Sequence, residues 1–151
     1  MLNELISRSE TLVFFTGAGI STNSGIPDFR GPKGIWKTSQ PIYFQDFVNS
    51  EEKRVESWER KFSNELKINK AKPNQGHQKI AEIMKRKDLS HLITQNVDNL
   101  HQESGVSDSQ ITELHGNATY AKCLDCQLRY DLTELKESFL STKVPPLCNE
   151  C

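Results

Sequence analysis

Residues 11–36, TLVFFTGAGISTNSGIPDFRGPKGIW, constrain the fold more than any other part of the chain. Residues 11–15 are an apolar, β-branched and aromatic run, too short for an ordinary helix and closed by glycine, which predicts a buried strand of a parallel sheet. Gly17 and Gly19 end it. A glycine has no Cβ, so backbone N–H groups there can approach a ligand closely. A strand that turns into a helix start at such a loop offers donors and a positive dipole end to phosphate. The spacing departs from the dinucleotide fingerprint G-x-G-x-x-G, because the next glycine after Gly19 is Gly25. Taken alone, Gly17-Ala18-Gly19 fits a tight turn as well as an anion site.

Residues 24–32, SGIPDFRGP, crowd prolines, glycines, an acid, a base and an aromatic ring together. Such a segment cannot be a regular helix or a central strand, so a shaped loop over the sheet edge is expected. Arg30 suits a diphosphate and Phe29 a planar ring. The alternative is a structural Ω-loop with Asp28 and Arg30 as a solvated pair.

Phe44, Phe47 and Val48 open a helical section that Val55, Trp58, Phe62 and Leu66 continue with one apolar stripe among charged residues. Lys72-Pro73-Asn74 breaks it, and Asn74 is placed to cap a second helix through His77, Ile80, Ile83 and Met84. Residues 89–96 read as a second strand, centred on Leu92 and Ile93. Strand, helices, strand is the grammar of a doubly wound sheet, with a helical insert to account for the long interval. Ligands in such folds bind beyond the carboxyl ends of the strands. Gln95, Asn96 and Asp98 follow the second strand directly, where they form either a turn bonded to its own backbone or a reader of sugar hydroxyls and a carboxamide.

Of the histidines, His77 and His91 read as structural or solvent-facing, and His101, in a short helical segment, as structural. His115 differs because Gly116 follows it and an apolar-flanked segment precedes it, and an imidazole can accept a proton near neutral pH. Cys123-x-x-Cys126 and Cys148-x-x-Cys151 are two knuckles that can close a tetrahedral Zn²⁺ shell without an open position, the mark of a structural site. Disulfides or redox-active pairs are the alternatives, each needing an oxidising compartment or a thioredoxin-like context. The segment between the pairs, with Tyr130, Leu132, Leu135 and Phe139, is too small to fold without support.

The net charge of −1 and the lack of any long Lys/Arg run argue against nucleic acid as a partner. Counted with glycine and without tyrosine, the apolar share is about 38%, below the roughly 45–50% of typical domains, so a lean core is expected. Residues 1–10 have acids and helical spacing rather than the features of a signal or transit peptide. No apolar run approaches the ~20 residues of a membrane span, and a cytoplasmic protein with no membrane partner is expected.

Gly17-Ala18-Gly19-Ile20-Ser21, then SGIPDFRG at 24–31, TQNVDNLH at 94–101, ELHG at 113–116 and the two Cys-x-x-Cys pairs occur in one order, and together they resemble the sirtuins, NAD-dependent protein lysine deacylases. The resemblance implies an α/β chain with a partial Rossmann-like sheet at 1–40 and 88–116, a small helical insert at 41–87 and a zinc ribbon at 117–151. It implies transfer of the acyl group of an acyl-lysine protein or peptide to the ADP-ribose of NAD, with nicotinamide released. Cofactor contacts would come from Gly17, Ala18, Gly19, Ile20, Ser21, Gly25, Ile26, Pro27, Asp28, Phe29, Arg30, Trp36, Gln95, Asn96, Val97 and Asp98. His115 would be the general base, Asn96 would be a second catalytic residue contacting the ribose beside nicotinamide, and Cys123, Cys126, Cys148 and Cys151 would hold structural Zn²⁺. No tyrosine has an arginine three residues on, the pair that suits acidic acyl groups in the family, so deacetylation is the expected activity. The family's later segments, which pair with substrate and hold the adenosine half of NAD, do not follow Cys151. A truncated chain is therefore expected, and a zinc-stabilised fragment that binds a partner or nucleotide without catalysis is the alternative. Mono-ADP-ribosyl transfer from the same pocket is another.

Overall fold

The computed structural model describes residues 2–32 and 34–151, with side chains for all of these except 2, 3 and 64–69. The chain forms two compact units. One combines the segment before Trp36 with Ala71–Asn117, and the other combines Trp36–Lys70 with Ala118–Cys151. Residues 71–87, grouped from sequence with the helical insert, lie with the sheet in the first unit.

The first unit is built on a parallel sheet of order β1-β2-β3, comprising Val13–Thr16, His91–Thr94 and Ile111–Glu113. The third strand is absent from the sequence reading, because residues 111–113 are too short and too polar to stand out. Its partner β2 supplies the pattern. Leu92 is fully buried at the centre, packed with Ala81, Met84 and Val106, while Phe14, Ile80 and Ile111 flank them. Full burial of a side chain such as Leu92 or Met84 contributes roughly 1.5–3 kcal/mol each. Met84 is delivered by α4 (Gln75–Lys85), whose N-terminus is fixed by the expected cap: the Asn74 side chain accepts the Gly76 N–H at 2.9 Å, and a capping box with His77 completes it.

Strand β1 is not buried on both faces as its apolar run predicts. Phe14 and Thr16 turn inward, whereas Val13 and Phe15 are 64% and 62% exposed. The period of two in a strand puts alternate residues on opposite faces, and among the described residues only one face of this strand is covered. The helix start expected after β1 is a 3-10 helix, Ala18–Ser24, closed by Gly25 at φ 87°. Its Ser, Thr and Asn side chains compete with regular α-helical bonding, as in the Thr22 hydroxyl donating to the Gly19 carbonyl at 2.9 Å. Short helices α1 (Leu2–Arg8) and α5 (Leu100–Glu103) complete the unit.

In the second unit the helical section is split. α2 (Phe44–Asn49) ends at Ser50, whose extended backbone, φ −127° and ψ 120°, starts a new helix α3 (Glu51–Lys70). The apolar stripe of α3 is present at Val55, Trp58 and Phe62; the Leu66 side chain lies outside the described residues. Trp58 and Phe62 stack at 5.5 Å, and both pack on Phe139, which is fully buried. Phe139 belongs to α6 (Leu132–Thr142), which follows the antiparallel pair β4 (Tyr120–Lys122) and β5 (Arg129–Asp131). The segment between the cysteine pairs thus rests on α3 rather than on itself. No described helix is long and apolar enough to cross a membrane.

Candidate active site and metal centre

The register aligns Thr16 with Thr94 and Thr94 with Glu113. The three strands therefore end level, and Gly17, Gln95 and Leu114 leave the sheet along one edge. This places the glycine loop, the Gln95–Asp98 cluster and the turn carrying His115 at the carboxyl ends of the strands, all within the first unit.

Behind the glycine loop runs a buried hydrogen-bond network. The Ser21 hydroxyl, 1% exposed, donates to Asp98 Oδ2 at 2.6 Å and accepts from Asn96 Nδ2 at 3.1 Å. Asn96 Nδ2 also donates to the Gly17 carbonyl at 3.2 Å, and Asp98 Oδ1 accepts the Leu100 N–H at 3.1 Å. His77 Nδ1 accepts the Asn74 N–H at 3.3 Å, which leaves Nε2 to donate to Ser21 Oγ at 3.4 Å. One tautomer of a neutral imidazole satisfies both contacts. Burial lowers the His77 pKa against the opposing pull of the Asp98 carboxylate, consistent with that neutral form.

Asn74 adds a second tie: its Nδ2 donates to the Ile20 carbonyl at 2.7 Å and to Ser24 Oγ at 2.9 Å, joining the 3-10 helix to the start of α4. Thr16 Oγ1 contacts Thr94 Oγ1 at 2.9 Å and His101 Nε2 at 3.0 Å, while Thr94 Oγ1 accepts the Asn96 N–H at 3.0 Å. The His77 and His101 rings lie 4.8 Å apart. Burial, then the neighbouring His77 imidazole, pushes the His101 pKa down to about 4, and its Nδ1 is buried without a hydrogen-bond partner. Thr16, Asn74, His77, Thr94 and His101 were not among the sequence-derived site residues. The only signal for them is position, since each lies at a strand end or helix start facing the loop.

The direct contacts bring together Gly17, Ser21, Asn96 and Asp98, while Ala18, Gly19 and Ile20 lie along the same 3-10 helix. Gln95 is exposed at the strand end, with Nε2 3.7 Å from where a Cβ on Gly17 would stand. At Gly19 nothing lies within 4 Å of that position, so the backbone is open to an approaching group. Gly25, Ile26, Pro27, Asp28, Phe29 and Arg30 continue from the 3-10 helix as a shaped loop. Asp28 Oδ1 accepts the Gly31 N–H at 3.1 Å and the Asp28 carbonyl accepts the Ile35 N–H at 2.9 Å, closing a compact turn. Gly34 is buried in it, and a Cβ there would stand 2.4 Å from the Phe29 carbonyl oxygen. Phe29 is 42% exposed and Val97 half-buried. Trp36 falls in the second unit. His115 is exposed, with Gly116 after it at φ 76°.

In the second unit the Sγ atoms of Cys123, Cys126, Cys148 and Cys151 lie within 4.8 Å of one another, and none is in a disulfide. Cys123 and Cys151, and Cys126 and Cys148, are each 3.6 Å apart. A tetrahedron with Zn–S bonds of about 2.3 Å has edges of about 3.8 Å, so the four thiols fit a zinc ion. The backbone N–H groups of Asp125 and Glu150 each point at the first sulfur of their knuckle at 3.4 Å, which stabilises thiolate. The Tyr130 hydroxyl, 3.0 Å from Cys148 Sγ, and the Glu150 N–H lower the Cys148 pKa to about 6. Hydrogen bonding to Cys123, then to Cys148 and Cys126, pushes Cys151 up to about 12, so the sulfurs of the cluster titrate together rather than independently.

The sequence profile of the Sir2 family matches residues 17–151. The chain is 46% identical over 150 residues to an NAD-dependent protein deacetylase of Rhodopseudomonas palustris, covering 99% of this chain and 59% of that protein. It is 43% identical over 148 residues to one of Thermodesulfovibrio yellowstonii, covering 98% and 57%. Among solved structures it resembles a Sir2 protein with a deacetylated p53 peptide and 3′-O-acetyl ADP ribose, at 39% identity and TM-score 0.79 over 99% of this chain and 59% of that one. A Sir2 complex with p53 peptide and NAD⁺ matches at 37% identity and TM-score 0.78, covering 99% of this chain and 58% of that one. The chain therefore spans somewhat more than half the length of the relatives it matches.

Proposed function

The chain belongs to the Sir2 family, and from that premise we propose that its protein is an NAD-dependent protein lysine deacetylase. The observation that carries the proposal is the level ending of the three strands, which sets the open glycine loop, the Gln95–Asp98 cluster and His115 along one sheet edge. NAD, when bound, supplies the ADP-ribose that accepts the acyl group, with nicotinamide as the leaving group.

In this reading the backbone of Gly17, Ala18, Gly19, Ile20 and Ser21, with Arg30, holds the diphosphate. Gly25, Ile26, Pro27, Asp28, Val97 and Asp98 surround the nicotinamide, Phe29 presents an apolar ring, and Gln95 and Asn96 meet ribose hydroxyls. His115 accepts a proton from a ribose hydroxyl, a role that an exposed imidazole at the strand ends suits. The buried network keeps Ser21 and Asn96 from competing conformations, so orientation is set before substrate arrives.

Cys123, Cys126, Cys148 and Cys151 hold a structural zinc that fixes the ends of the second unit's metal module. We place the protein in the cytoplasm, where cysteines stay reduced and available to zinc. The substrate is an acetyl-lysine protein or peptide. The test is incubation of the protein with an acetyl-lysine peptide and NAD, followed by mass spectrometry. Free lysine peptide together with nicotinamide and O-acetyl-ADP-ribose is the expected result; ADP-ribose attached to protein instead, or no NAD-dependent loss of acetyl, would overturn it.

A further inference from the structure

Glu113, at the end of β3, joins three segments around the turn that carries His115. Its Oε1 accepts two N–H groups, from Gln102 Nε2 at 2.8 Å and from Asn117 Nδ2 at 2.5 Å. Gln102 stands on α5. Asn117 also donates to Asn99 Oδ1 at 3.0 Å, and Asn99, at φ 65°, is the residue that starts α5. On the other side of the turn the Leu114 N–H donates to the Thr94 carbonyl at 2.9 Å, extending the ladder one residue beyond β3. Leu114 is thus held to the sheet and Asn117 to the Glu113 carboxylate. Only His115 and Gly116 span the gap, with Gly116 in a left-handed conformation that fixes the direction of exit.

We propose that Glu113 is the positioning residue for His115: its carboxylate clamps the far end of a turn whose near end the sheet already holds. The imidazole, exposed and able to rotate, is then presented from a backbone with little freedom. This rests on the assignment of His115 as the base. Glu113 is half-buried and its carboxylate bonds to α5 and to the far end of the turn, so it acts through the turn. A polar cluster of this kind costs conformational freedom in the free protein in order to hold one geometry, which is what a base acting on a single hydroxyl requires.

The test compares Glu113→Ala with Glu113→Gln in NAD-dependent deacetylation and in the imidazole ¹H–¹³C spectrum of His115. Glutamine keeps an Oε1 that accepts both N–H groups, whereas alanine removes it. Glu113→Ala is expected to lower kcat by about 10–100-fold with KM for NAD within about twofold, and Glu113→Gln to restore kcat to within about threefold of the parent. The His115 resonances should shift in the alanine variant and stay in place in the glutamine one. Unchanged kcat in Glu113→Ala, equal damage in both variants, or a rise confined to KM would overturn the clamp. If Glu113→Ala does not fold, Asn117→Ala removes one arm and carries the same expectations. A parent protein without NAD-dependent turnover would defeat the functional reading instead, and the His115 spectra would still decide whether Glu113 holds the turn.

Discussion

The Ser21 hydroxyl donates to the Asp98 carboxylate at 2.6 Å between residues 77 positions apart in sequence. This contact joins the 3-10 helix of the glycine loop to the segment that follows β2, and both partners are buried. Hydrogen bonds to a charged acceptor shielded from water are among the stronger ones a fold can make.

Replacing Asp98 with alanine leaves the Ser21 hydroxyl and the Leu100 N–H without their acceptor. Unsatisfied buried donors cost about 1–3 kcal/mol each, so a loss of at least that order is expected in urea denaturation. Asn at this position keeps one acceptor oxygen and should lose less. Equal stability of the alanine variant and the parent would show that the network does not hold the loop.

His115→Ala removes an exposed side chain outside the buried network. The variant should bind NAD with affinity close to that of the parent, measured by calorimetry, while turnover falls by about 10²–10⁴-fold, the usual contribution of a positioned general base. Turnover at the parent's rate would remove His115 from the role.

His101 has its pKa lowered from 6.5 to about 4, and His77 is lowered as well. Between about pH 6.5 and pH 4 the unfolded chain takes up a proton at His101 that the folded chain refuses. The stability associated with neutral His101 is therefore fully present above pH 6.5 and is lost as the pH falls toward 4, about 3 kcal/mol in all. Chemical denaturation at pH 7.0 and pH 5.0 should show the parent losing more stability than a His101→Gln variant. Parallel pH profiles for the two would contradict the assignment.

Zinc should be inseparable from the fold of the metal module, because the module buries few apolar side chains, Leu132 and Phe139 foremost, and four thiols converge on one point. A strong chelator is expected to release one zinc per chain and abolish the slow amide exchange of residues 118–151 while the sheet of the first unit retains its protection. Cobalt substitution should give the intense thiolate charge-transfer bands of a tetrahedral site. Retained protection after zinc removal would mean that packing on α3 alone holds the module.

Much of this architecture is legible in residues 11–32, 74–84 and the cysteine pairs, because each carries a local signal: an apolar run closed by glycine, a cap followed by helical spacing, a knuckle spacing. The short strand at Ile111–Glu113 has no such signal. It is a strand because β2 offers it unpaired backbone groups, and Leu114 extends the same ladder. The one-sided burial of β1 is equally invisible in sequence, since Val13 and Phe15 are as apolar as Phe14 and only packing separates their fates.

What the sequence by itself determined is the type of chemistry: glycine-loop backbone, amide and carboxylate after β2, an imidazole before a glycine, and four thiols in two knuckles. Those identities are fixed by which atoms can donate, accept or ligate, and they are written in residue type and spacing. Tertiary structure alone decided which of them meet. It set Ser21 against Asp98, turned two histidines expected to be bystanders into buried neutral members of the same network, and tied Glu113 to Gln102 on α5 and to Asn117 beyond the turn. Hydrogen bonds and burial depend on distance in space, and parallel pairing brings together residues that the chain keeps far apart.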